Sequence, residues 1–82
     1  MQSAYALFKE AFMLGVDEAY KTLSSDLQYA EALEVISATE VQEEVIQDTF
    51  QRLVTDTMDK EQIIQNGMDV GYSYIMDAAL LL

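Results

Sequence analysis

The sequence predicts an all-α fold, a compact bundle of four helices, on three observations. The 82 residues contain no proline and few runs of β-branched residues. Apolar residues recur every three to four positions, the period of an amphipathic helix. At three breaks in that period a Ser, Thr or Asp is followed three residues later by Gln, the spacing of a helix N-cap whose two side chains satisfy each other's backbone amides.

The first helix is expected over about residues 3–23. Ala4, Phe8, Ala11, Phe12, Gly15, Ala19 and Leu23 fall on one face, and Lys9, Glu10, Asp17 and Lys21 fall away from it. Ser25 with Gln28 then marks a second, short helix over about 26–37, with Tyr29, Leu33 and Ile36 inward. Thr39 with Gln42 opens a third over about 40–58, with Val45, Ile46, Thr49, Phe50 and Leu53 inward. Asp59 with Gln62 opens the last, over about 60–81, which turns Ile63, Ile64, Gly67, Gly71, Tyr74, Ile75 and Ala78 to one side. Connections of two to four residues require neighbouring helices to run antiparallel or to cross steeply. Helices two and three could also form one kinked helix, which would give three. Residues 1–82 are read as one all-helical domain.

Glycine inside a helix costs roughly 1 kcal/mol relative to alanine, yet Gly15, Gly67 and Gly71 all sit mid-helix on an apolar face. Ala11, Gly15 and Ala19 are four apart, as are Gly67 and Gly71. Each set forms a smooth stripe that lets helix axes approach closely. The five residues are therefore expected to form a packing seam, between the first and last helices or between two copies of one. GVDEAY at 15–20 and GMDVGY at 67–72 repeat the same pattern. Tyr20 and Tyr72 lie about 140° round from their glycines on a helical wheel. The repeat therefore reads as packing rather than as a ligand site.

The formal net charge is −11, from 15 acids against Lys9, Lys21, Arg52 and Lys60. Direct binding to nucleic acid or to an anionic membrane is therefore not expected, and a basic protein surface is the expected partner. Between Thr22 and Gln51 there are seven acids and no base. Glu31, Glu34, Glu40, Glu43, Glu44 and Asp48 are the candidate partner-binding face. By size and charge alone, the chain is analogous to phage-encoded inhibitors that block nucleases, restriction or CRISPR complexes by mimicking nucleic acid. A small acidic, non-enzymatic inhibitor or adaptor is the leading functional expectation.

The rival expectation is an assembly subunit. A chain this short buries only about 60% of its unfolded surface, so its core is marginal. With no cysteine or histidine, neither a disulfide nor a common metal site can supplement that core. Leu7, Met13 and Leu14 fall off the core stripe, and Leu7 and Leu14 lie seven apart on one line. A homodimer through this surface is expected.

Carboxylate chemistry is the third expectation. Glu31 with Glu34 and Glu40 with Glu43 make ExxE, and Asp56 with Asp59 makes DxxD. Paired ExxE and ExxD segments resemble the all-helical MazG-like nucleotide pyrophosphohydrolases, and that resemblance would imply magnesium held by carboxylates. The chain departs from the pattern in having DxxD, and few bases stand ready for a triphosphate. Size, acidity and helix number also resemble acyl carrier proteins. Their modified Ser follows an Asp, however, whereas this chain reads Ser24-Ser25-Asp26-Leu27. No enzyme activity, cofactor or metal is assigned on these grounds. The start of the chain lacks the basic region of a signal peptide, and the closing apolar stretch is too short to span a bilayer. The expected location is the cytoplasm, the host's if the protein is viral.

Overall fold

A computed structural model describes residues 3–37 and 41–81. Within them lie four α-helices and no strand: α1 Ala4–Ser24, α2 Ala30–Ser37, α3 Glu43–Leu53 and α4 Lys60–Leu81. A single 3-10 turn, Leu27–Tyr29, leads into α2. The all-α, four-helix expectation holds. The long helices α1 and α4 match their expected bounds to within a residue.

Their ends follow from local chemistry. The Ser3 hydroxyl caps α1 by accepting the Ala6 amide at 3.1 Å. At α4 the reciprocal cap forms as the spacing predicts. The Asp59 carboxylate accepts the Gln62 amide at 2.8 Å, and the Asp59 amide donates to the Gln62 side chain at 2.9 Å.

Between the long helices, three expectations need correction. Ser25 does not cap the second helix; its hydroxyl donates to the Thr22 carbonyl at 2.7 Å and so closes α1. Asp26, extended at φ −124° and ψ 116°, takes over and accepts the Gln28 amide at 3.1 Å. The third helix is shorter than expected. Gln42 is extended and makes no side-chain cap, and at the far end Val54 is extended, its amide closing on the Phe50 carbonyl. Thr55–Thr57 then form a turn, tied by the Met58 amide to the Thr55 carbonyl and by paired Thr55 and Thr57 hydroxyls. Thr and Asp offer the backbone side-chain partners outside a helix, which stops α3 before Met58. The extended Gln42 also means that α2 and α3 are two helices rather than one kinked helix. Thr39, of the expected cap, lies outside the described residues.

The dominant packing is α1 against α4, and it is made by the glycines. A Cβ built on Gly15 would run into the Met68 carbonyl and stand 2.8 Å from the Tyr72 amide nitrogen. On Gly67 it would stand 2.8 Å from both the Ala11 Cβ and the Phe8 carbonyl oxygen, and on Gly71 it would run into the Phe12 carbonyl. Backbone therefore touches backbone, and no larger residue fits. Partner numbers also rise together along the two helices. Leu7 shares a cleft with Lys60, Gly15 meets Met68, and the Thr22 hydroxyl lies 3.4 Å from that of Tyr72. Hence α1 and α4 run parallel.

A parallel pair needs a return path. From Leu7 to Ser24, α1 rises about 26 Å at 1.5 Å per residue. Helices α2 and α3 lie on this return leg, and the whole measures 41 × 21 × 20 Å.

The core lies in the angle between the seam and this leg. Phe8, Phe12, Val16 and Leu23 of α1, Ile36 of α2, Ile46 of α3, and Ile63 and Ile75 of α4 are buried together. Each such side chain contributes roughly 1.5–3 kcal/mol by leaving water. Phe50 closes one end, edge-on to Tyr5 at 5.2 Å and to Phe8 at 5.6 Å between ring centres. Thr49 is buried but satisfied, its hydroxyl donating to the Val45 carbonyl at 2.7 Å. Leu53 and Tyr74, expected inward, are substantially exposed, and Ala79 is buried where Ala78 was expected to be.

Candidate functional site

The structure divides the proposed acidic face into used and unused carboxylates. Glu43 sits in the first turn of α3, which lies across the start of α1. Its carboxylate accepts the Tyr5 hydroxyl at 2.7 Å and pairs with the Lys9 ammonium at 2.7 Å. The Lys9 ammonium holds its carboxyl below the ordinary range, with the Tyr5 hydrogen bond adding to the effect. Partial burial and the facing Glu43 carboxylate push Tyr5 the other way, up to about 12. Glu43 is therefore a fastener between α1 and α3 rather than an open docking group. Asp48 is likewise engaged, accepting from Arg52 one turn on at 3.1 Å.

Glu31 and Glu44 are exposed and make no hydrogen bond or ion pair among the described residues. Glu34 is exposed, and Glu40 lies outside the described residues. The described acids of this set lie on two helices, Glu31 and Glu34 on α2 and Glu43, Glu44 and Asp48 on α3.

Every acidic side chain among the described residues is solvent-exposed. Three of the four bases are held by acids of the same chain: Lys9 by Glu43, Lys21 by Glu18 at 3.8 Å, and Arg52 by Asp48. Exposed pairs of this kind stabilise little. Their larger consequence is that they consume the cations and leave the remaining carboxylates facing water.

The carboxylates do not converge. Among the described residues no group of three or more acids is placed to hold a metal ion. Asp56 and Asp59 lie in and just after the turn that precedes α4, and Asp59 is committed to its cap. The repeated glycine motifs also form no site. Asp69 accepts from the Gln65 side chain at 2.9 Å, Asp17 is exposed, and Tyr20 is half-buried. Burial, Asp17 and Tyr74 raise the Tyr20 hydroxyl above its ordinary value.

The apolar candidates separate as well. Leu7 is half-buried against the core. Leu14, half exposed at 51%, lines a cleft with Leu7, Glu10, Lys60 and Ile64. Met13 is exposed on its own line. Leu27, Val35 and Leu80 are also exposed, each outside the expected inward stripe of its helix. In the structure Val35 and Leu80 line one cleft between α2 and the end of α4. The signal was present in each helix, but the meeting of the two helices was not.

Comparison with protein-family models, with curated proteins and with solved structures finds no match to this chain. Among the described residues no helix is long and apolar enough to cross a membrane.

Proposed function

We propose that this protein is a non-enzymatic binding module that docks through its acidic surface on a basic surface of another protein. The observation that supports it most is the charge arrangement. Every described acid is exposed, while three of four bases are already paired within the chain. A field of one sign speeds encounter with a partner of the opposite sign and repels copies of itself. Glu31 and Glu44 are the carboxylates of the original face best placed for this role. In its most specific form the protein competes with nucleic acid for a basic groove.

The test is capture of partners from the native host, followed by affinity measurements across ionic strength. Binding should weaken at least about tenfold between low and high salt. Glu31→Lys with Glu44→Lys should weaken it further without changing the melting temperature. For the specific form, the protein should displace DNA or RNA from the captured partner. Salt-independent binding, or full-strength binding by the double variant, contradicts the reading.

A second reading, assembly through apolar self-association, draws on the exposure of Leu27 at 91% and Leu81 at 87%. It predicts a dimer mass by sedimentation at micromolar concentration. The repulsion between two chains of net charge −11 opposes it.

A further inference from the structure

The end of the molecule formed by α2 and the last turns of α4 combines an apolar cleft with one-sided charge. Tyr29, Ala32, Val35, Ala79 and Leu80 line the cleft, and Glu31 lines it as well. Its volume is about 520 Å³. It is open, since Val35 is 56% exposed and Leu80 66% exposed. Exposed aliphatic side chains flanking a groove are a common mark of a docking site.

The charge around the cleft says what would cover it. The chain carries no Lys or Arg between Lys21 and Arg52, and none after Lys60. Both walls are therefore free of bases along their own elements, while Glu31 lines the cleft and Asp26 and Glu34 are exposed on or beside the α2 wall. Two other clefts differ in this respect. The one beside Leu7 and Leu14 contains Lys60 as well as Glu10, and the one between α3 and α4 contains Arg52 as well as Asp69 and Asp77. Only a partner that brings apolar residues flanked by cations complements the α2/α4 cleft. A second copy would bring Glu31 and a net charge of −11 of its own, and like charges across an interface cost affinity.

We propose that the α2/α4 cleft docks a basic amphipathic helix of a protein partner. The helix lays an apolar stripe on Ala32, Val35, Ala79 and Leu80, and its flanking Lys or Arg side chains face Glu31 and its neighbours, the helix-in-groove mode. This inference rests on the acidic-module reading and gives it a location and a partner chemistry.

The test titrates a fluorescent synthetic helix into the full chain. The probe has leucines at i, i+3, i+4 and i+7 and lysines elsewhere, and controls replace all leucines by serine or all lysines by glutamate. The leucine–lysine peptide should bind at least about tenfold more tightly than either control. Val35→Ser with Leu80→Ser should weaken binding about tenfold at an unchanged melting temperature, because both side chains are exposed, and Glu31→Lys should act in the same direction. Glu61→Lys and Leu14→Ser, away from the cleft, should change it less than about twofold. If Glu44→Lys weakens binding while the cleft variants do not, the inference falls and the general reading stands. If the leucine–lysine peptide binds no better than the glutamate peptide, both fall. If sedimentation gives a dimer that Val35→Ser with Leu80→Ser returns to monomer, a second copy fills the cleft and the proposal is overturned.

Discussion

Along the α1–α4 seam, three glycines bring two long backbones into direct contact, and the side chains around them are buried. In the return leg, α2 and α3 are short, their intervening residues Val41 and Gln42 are not helical, and each touches the rest through a few apolar side chains. Helices this short have little stability of their own in water. The seam is therefore the rigid half of the molecule, and the return leg depends on it. The charge follows the same division. The return leg holds Glu31, Glu34 and Glu44, and α2 forms one wall of the apolar cleft. The surface proposed to meet a partner is thus built in part on the short helices of the return leg.

The largest effects should come from filling the seam. Replacing glycine by alanine within a helix ought to gain about 1 kcal/mol from propensity. At Gly15 and Gly71 the added methyl meets a backbone carbonyl, which cannot retreat as a side chain could. Overpacking typically costs 1–3 kcal/mol, so the carbonyl clash outweighs the propensity gain. With the overpacking cost at its upper end, about 3 kcal/mol, because the contact is backbone, less the gain of about 1, Gly71→Ala should lower stability by about 2 kcal/mol, a fall in Tm of roughly 8–16 °C in a domain of this size. Gly71→Leu and Gly15→Leu should prevent folding altogether, as circular dichroism would show. Wild-type melting of both leucine variants would mean that the seam does not exist.

Next in size is the cap that starts the rigid half. Asp59→Ala removes a charged acceptor from the first turn of α4 and should cost about 1 kcal/mol, while Asp59→Ser should recover most of it. Chemical denaturation of the three proteins separates these outcomes.

The smallest effect should come from the clasp between the two halves. Because the folded Glu43 carboxyl lies below its ordinary value, its stabilisation is present above the unfolded carboxyl's pKa and is lost as pH falls through the folded value. Glu43→Gln should therefore melt slightly below the wild type at neutral pH and coincide with it in acid. Tyr5, held up at about 12, has the opposite sign. Its contribution is present below the ordinary tyrosine value and is lost as pH rises through about 12. An alkaline absorbance titration should show a late step near pH 12, and Tyr5→Phe should remove it.

The same contrast separates what the sequence reveals from what it conceals. The long helices were legible because their apolar period runs unbroken over some twenty residues and their ends carry strong caps. The seam was legible because Gly15, Gly67 and Gly71 would otherwise be unexplained losses in helix stability. The parallel direction of α1 and α4 was not, since it depends on how α2 and α3 divide the return. The end of α3 was overextended because Met58 keeps an apolar period that the Thr55–Thr57 turn interrupts. The contacts of Glu43 were not legible because its partners, Tyr5 and Lys9, are 38 and 34 residues away in the chain. The α2/α4 cleft was hidden for the same reason. Each wall reads alone as a helix with a stray exposed leucine or valine, and only the tertiary meeting makes a groove.

Native-state hydrogen exchange tests the division into a rigid seam and a dependent return leg most directly. The amides of Gly15–Leu23 and Gly67–Ile75 should exchange only through global unfolding, with protection equal to the full stability. Those of Ala32–Ile36 and Ile46–Arg52 should exchange faster, through local opening. Equal protection in α2, α3 and the seam would contradict that division.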